Sequence, residues 1–203
     1  GTVSVRKAKD KEKILTLDNQ KRSLNKNDLV ITDNDNPIAL AGVMGGLDTE
    51  VTENTKNLLI ESAYFDKVSI MNTSRKLNLI SDASIRFERG IDQLSIEDGL
   101  NKAAFLIKEI CGGEISKIDI QKNESYKNKV IKFEPKMFEK ITGFKISTKE
   151  MINILEKLGF KLKKEKIFFK LSVPSWRPDI VQEIDIVEEL VRISGYEKIK
   201  IEN

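Results

Sequence analysis

Short alternating apolar runs dominate the first third of the chain, and helical periodicity takes over later. Val3-Ser4-Val5 and Ile14-Leu15-Thr16-Leu17 read as β runs, with Asp18-Asn19-Gln20 as a turn. Residues 28–31 predict another strand, and Thr32-Asp33-Asn34-Asp35-Asn36-Pro37 a turn after it. Residues 38–43 predict a buried strand running into Gly45-Gly46, where a backbone can turn tightly or let a ligand approach its amides. A further strand is expected over 57–65. Asp66 then suits the N-cap of a helix reaching Leu77, with Val68, Met71 and Leu77 inward and Lys67, Arg75 and Lys76 in water. Ser95-Ile96-Glu97-Asp98 resembles a capping box. The helix it opens places Ile96, Leu100, Ala103, Ala104, Ile107 and Cys111 on one face and ends at Gly112-Gly113, so Cys111 is expected to be a packed thiol. A strand over 115–120 follows.

The pattern breaks at KNESYKNK, residues 122–129, which has almost no apolar content and reads as a linker over 122–128. Two domains are therefore expected, 1–121 and 129–203. In the second, Pro135 opens a short helix that Gly143 closes, and Ser147-Thr148-Lys149-Glu150 caps a helix that Gly159 stops. Residues 160–163 and 167–173 predict a lysine-rich hairpin, and a last helix runs over about 180–193. Helix, helix, hairpin, helix is the outline of a winged helix-turn-helix variant, and the chain as a whole is α+β.

Composition removes several kinds of chemistry. The 203 residues are 39% hydrophobic and 33% charged with a net charge of +3, a soluble, globular balance that permits a local basic patch without demanding a nucleic-acid partner. There is no histidine, so no imidazole base and no Cys/His zinc site can come from these residues. Cys111 is the single cysteine, which rules out an internal disulfide and suits a reducing cytoplasm. The longest uncharged stretch, 36–47 apart from its flanks, is too short and glycine-rich to span a bilayer, and no signal peptide is visible. The chain opens on Gly-Thr-Val-Ser-Val in a strand pattern and is read as a piece of a longer protein.

Residues 59–90 (LIESAYFDKVSIMNTSRKLNLISDASIRFERG) are dense in small and charged residues between hydrophobic anchors, and with Ala41-Gly42-Val43-Met44-Gly45-Gly46 are expected to wall one binding pocket. Glu61 ends an apolar run, where a carboxylate is costly without a partner: either a ligand hydroxyl fills that role, or Arg86 or Arg89 does, or the group is simply exposed. Arg86, Glu88 and Arg89 suit phosphate or nucleic acid, and equally an ion-pair network. Ser81, Asp82 and Ser84 read first as helix caps, and with Ala83 also as a small-residue pocket wall. Asp185, Glu188 and Glu189 fall at i, i+3 and i+4 and, with Asp179, offer oxygen ligands that suit magnesium; a Glu-to-Arg192 pairing on the same face competes with it. Lys161, Lys163, Lys164, Lys166 and Lys170 suit either a phosphate backbone or the protection of an edge strand.

ALAGVMGG, LIESAYFDKVSI, SDASIRFERGID, and VPSWRPDI followed by DIVEELVRISGY together resemble the bacterial phenylalanine-tRNA synthetase beta subunits, in order and spacing, over essentially the whole chain. The resemblance implies a mixed α/β tRNA-editing domain over 1–121 that removes tyrosine mischarged onto tRNA(Phe), then a small winged helix-turn-helix-like domain. It implies that Glu61 recognises the tyrosine hydroxyl, that Ala83 leaves room for the ring, and that Gly45 and Ser81 (threonine in many relatives) line the same pocket. No catalytic residue is assigned. Asp179, Asp185, Glu188 and Glu189 match the family's magnesium ligands, shared with the alpha subunit. The implied setting is a cytoplasmic α2β2 ligase acting on tRNA(Phe), whose ATP is not bound by this piece. The family's pocket also takes a histidine from a segment upstream, which these residues do not include. A nucleic-acid-binding module working through the basic wing, and a structural spacer, are the other readings.

Overall fold

A computed structural model describes residues 2–121 and 126–199; residues 122–125, within the expected linker, lie outside the described residues. The chain divides into two compact units, Gly1–Ile91 with Ser95–Lys117, and Asp92–Leu94 with Ile118–Asn203.

The first unit is built on an antiparallel sheet in the order β1-β4-β5-β6, from β1 (Val3–Lys7), β4 (Leu29–Asp33), β5 (Asn36–Leu40) and β6 (Met44–Gly45). A hairpin of β2 (Lys13–Leu15) and β3 (Lys21–Ser23) joins it through a bridge between Thr16 and Gly46. The β4–β5 turn is tighter than its polar sequence suggests. Asp33 pairs directly with Asn36, and only Asn34, at φ 52°, and Asp35 form the loop. Pro37 is accommodated because the register shifts beside it, leaving Ile38 as an extra residue on β5. The carbonyl of Ile38 then accepts the Gly46 N–H at 2.7 Å. Ala8, Ile14, Leu24, Val30, Leu40, Val43, Phe65, Ile70 and Leu79 pack into one core.

Three helices complete this unit: α1 (Lys67–Lys76), α2 (Asp82–Arg89) and α3 (Ile96–Cys111). Asp66 caps α1 as expected, its carboxylate accepting the Ser69 N–H. The buried face of α1 is nevertheless Ile70, Thr73 and Ser74, while Val68 is half exposed. Two hydrogen bonds turn the helix that way. Thr73 Oγ1 donates to the buried Asp28 carboxylate at 2.9 Å, and Ser74 Oγ to the Leu79 carbonyl at 2.7 Å.

Other expectations fail for want of partners. The strand expected over 38–43 stops at Leu40, because Gly42 at φ 66° turns the chain. Residues 57–65 and 115–120 form no strand; a β run needs a neighbour to hydrogen-bond, and none of the described strands pairs with either. Leu59 and Ile115 accordingly stay exposed. α3 follows a single 3-10 turn, Gln93–Ser95, and no residue of it is fully buried. Ile96, Leu100, Ala103, Ala104 and Ile107 are its half-covered side, but Cys111 is exposed rather than packed, since it lies at the last turn where the core no longer reaches.

The second unit contains β7 (Val130–Phe133), α4 (Pro135–Thr142), α5 (Thr148–Lys157), β8 (Lys161–Lys164), β9 (Phe169–Ser172) and α6 (Glu183–Ser194). The expected helix, helix, hairpin, helix order is present, with β7 added. β7 pairs with β9, giving a three-stranded antiparallel sheet in the order β7-β9-β8. Gly143 closes α4 in the left-handed conformation, and Ser147 Oγ accepts the Glu150 N–H at the start of α5. Phe133, Phe138, Leu155, Leu171, Ile186 and Leu190 are fully buried at the centre of this unit.

Candidate functional site

The turn at residues 41–46 and the start of α2 meet in the first unit. Gly42 fits only as glycine: a Cβ there would stand 3.0–3.2 Å from Ile70 Cδ1, Phe65 Cδ2 and Phe87 Cδ2. Phe65, four residues beyond Glu61, and Phe87 of α2 pack at 5.3 Å between ring centres. Ser81 fastens the arrangement. Its Oγ accepts the Ser84 N–H at 3.1 Å and donates to the Val43 carbonyl at 2.5 Å, while Ser84 Oγ accepts the Ser81 N–H at 2.9 Å. The capping role is therefore real, and the same hydroxyl ties α2 to the glycine-rich turn.

Gly45 and Gly46 differ in kind. A Cβ on Gly45 would meet only the Leu17 side chain at 3.1 Å, whereas on Gly46 it would strike the Ile38 carbonyl oxygen at 2.6 Å. Glu61 has no hydrogen-bond or ion-pair partner among the described residues. It is exposed as a residue, yet the protein packed around its carboxyl is dense enough that desolvation raises its pKa above the ordinary range. The next residue is fixed, with Ser62 Oγ donating to the Ile96 carbonyl at 2.8 Å. Ala83 is exposed on α2. Among the described residues Arg86 and Arg89 do not pair with Glu61 or with any other acid. A cleft of about 340 Å³, lined by Asn25, Asn27, Asp28, Ser69, Asn72, Thr73 and Lys76, lies elsewhere in the unit and includes none of these residues.

In the second unit three of the four acids are spent on protein partners. Arg177 grips Asp179 through Nε at 2.9 Å and Nη2 at 2.6 Å, and reaches Glu189 through Nη2 at 2.9 Å. Arg192 Nη2 donates to the other Glu189 oxygen at 2.6 Å, the Glu-to-Arg pairing that competes with a metal. Glu189 is only 6% exposed. The hydrogen bond from Arg177, helped by Arg192 and opposed by burial, pulls its carboxyl down to about 2. Asp179 is lowered as well, first by Arg177, and Arg177 itself is raised, first by Asp179. Asp185 Oδ2 accepts the N–H groups of Val181 at 2.7 Å and Gln182 at 2.9 Å at the start of α6. Of the four, only Glu188 is exposed and without a partner among the described residues. Among the described residues no group of three or more acids is placed to hold a metal ion. As arranged, these four carboxylates do not fit magnesium, because two guanidinium groups stand where a cation's charge would be needed.

Residues 1–112 match the B3/4 domain model and residues 131–196 the tRNA synthetase B5 domain model. The chain is 42% identical over 198 residues to the phenylalanine–tRNA ligase beta subunit of Staphylococcus saprophyticus, covering 97% of this chain and 25% of that protein. It is 43% identical over 197 residues to the namesake from Carboxydothermus hydrogenoformans, covering 96% and 24%. The chain belongs to the phenylalanine–tRNA ligase beta subunit family. It spans about a quarter of the length of these relatives. A solved N-terminal fragment of the Pyrococcus horikoshii phenylalanyl-tRNA synthetase beta subunit aligns with 97% of this chain and 57% of its own, at 14% identity and a TM-score of 0.49.

Two features of this beta-subunit segment escaped the pattern of its residues. Gly42 is the glycine that the turn packs around, but nothing in Ala-Gly-Val announces a positive φ. Arg177 is the partner of two candidate metal ligands, and the Arg-Pro-Asp run at 177–179 was the available signal.

Proposed function

We propose that the first unit contributes to hydrolytic editing of tyrosyl-tRNA(Phe), with Glu61, Gly45, Ser81 and Ala83 around the aminoacyl group. The Ser81 hydroxyl bond to the Val43 carbonyl carries this reading, because it joins the two segments that would wall the pocket. Glu61 supplies selectivity. A desolvated carboxylate without a protein partner is a strong acceptor waiting for a donor, and the phenol of tyrosine has one where phenylalanine has none. Water attacks the ester carbonyl carbon, the bond to the ribose oxygen breaks, and that oxygen takes the proton, with the neighbouring ribose hydroxyl assisting. Backbone amides hold the carbonyl oxygen.

The wider setting belongs to the same proposal: a cytoplasmic α2β2 ligase in which an alpha subunit, tRNA(Phe) and ATP take part in charging. Magnesium at Asp179, Asp185, Glu188 and Glu189, which the family resemblance implies, is left out of that reading, because Arg177 and Arg192 hold two of those groups. The basic wing is better explained as edge protection. β8 is an edge strand of its sheet, and its Lys163, with Lys170 of the neighbouring β9, approaches Glu165 at 4.0 and 3.5 Å.

The test is tyrosine release from tyrosyl-tRNA(Phe), against phenylalanyl-tRNA(Phe), by the full-length subunit in its complex and by its Glu61→Ala variant. Losing one hydrogen bond to a charged group, roughly 1.5–3 kcal/mol, should cut the preference for tyrosine about 10- to 100-fold. An unchanged preference in the variant would remove Glu61 from the site and the proposal with it.

A further inference from the structure

Arg86 and Arg89 are two cations whose side chains meet no acid among the described residues. Both are exposed on the last turn of α2, and among the described residues neither side chain takes part in a hydrogen bond, an ion pair or a ring contact. A partner was close at hand for Arg86: Asp82 precedes it by four residues, the favourable order for a helical pair, yet no ion pair forms. The inward side of α2 is occupied by Ser84, which is buried, and by Phe87, which packs on Phe65. Ala83, Arg86 and Arg89 follow one another at three-residue intervals on the outward side, each step rising about 4.5 Å along the axis. The rigid anchor at Ser81 fixes where that ridge begins.

We infer that Arg86 and Arg89 form a phosphate-gripping ridge that guides the single-stranded 3′ end of an RNA toward the pocket beside Ala83. The inference deepens the editing proposal and rests on it for the direction in which the RNA runs. An aminoacyl ester at the end of a polynucleotide brings a string of phosphates with it. A site for the amino acid on Ala83 therefore needs cations displaced along the surface, here about 4.5 and 9 Å along the helix axis. Guanidinium forks take phosphate oxygens two at a time, and their reach lets neighbouring residues on a ridge span adjacent phosphates. Residues 75–89 also carry four basic side chains against two acidic ones, and with Lys76 held by Asp28 the balance is still positive, which favours an anionic partner.

The experiment measures binding of a short 5′-labelled single-stranded RNA with a free 3′ ribose to the full-length subunit in its complex, across a salt series. Arg86→Gln, Arg89→Gln and the double variant are compared with wild type, with circular dichroism confirming the fold. Each single variant should weaken binding several-fold at low salt and reduce the slope of log affinity against log salt by about 0.7. Arg86→Lys should restore the slope while recovering only part of the affinity. Unchanged affinity and slope in the double variant would overturn the inference. Tyrosine release from tyrosyl-tRNA(Phe), measured on the same proteins, keeps the two proposals apart. Slopes that fall as expected without any tyrosine release by wild type support the RNA ridge and sink the editing reading. Tyrosine release with unaltered slopes does the reverse.

Discussion

Glu189→Gln keeps the shape of the side chain and removes the charge that Arg177 and Arg192 share. The native carboxyl titrates near 2 in place of its ordinary 4.5. That difference corresponds to about 3 kcal/mol of preference for the ionised form in the folded state. The Arg192 side chain is 45% exposed, so water screens part of the interaction, and about 2 kcal/mol is the expected loss at neutral pH. The sign in pH follows from a folded-state pKa below the unfolded one. The carboxylate stabilises the second unit fully above about 4.5, and the contribution fades as pH falls from there to about 2. Urea unfolding can be followed through Trp176, the single tryptophan, which lies in that unit. Wild type and variant should differ by about 2 kcal/mol at pH 7 and converge near pH 2. A gap of the same size at both ends of the range would place the cost in packing, and no gap at pH 7 would show the ion pairs to be worthless.

Gly46→Ala should cost several kcal/mol and Gly45→Ala much less, because one Cβ meets a backbone oxygen at 2.6 Å and the other a movable leucine side chain; paired urea titrations would expose an inverted order. Ser81→Ala removes both a helix cap and the donor to the Val43 carbonyl, so the first unit should lose about 1–2 kcal/mol, with Ser81→Thr recovering most of it in a thermal melt. Millimolar magnesium should leave the melting temperature of this chain where an ionic-strength control leaves it; a specific rise would mean that Arg177 yields Asp179 and Glu189 to the ion.

What the sequence determined alone was local. Asp66 and Ser147 fixed two helix starts, Pro135 and Gly143 bounded a third helix, and the lysine-rich hairpin formed as its alternation demanded, because caps, turns and period act over a few neighbouring residues. The four motifs were equally legible, since a family resemblance needs order and spacing and no coordinates. Tertiary structure decided everything that requires a partner from elsewhere in the chain. Residues 57–65 and 115–120 have the composition of strands and remain unpaired. The buried face of α1 was set by Asp28, 45 residues from Thr73, and not by its own apolar spacing. Identical acidic spacing on α6 suits a cation or an arginine, and Arg177, 12 residues before Glu189, settled which group it meets here. Ser81 looked like a cap and is one, but its second bond, to a carbonyl 38 residues away, is what draws the candidate pocket together. A residue's local conformation is written in its neighbours, while the company its polar atoms keep is chosen by the fold that must satisfy them.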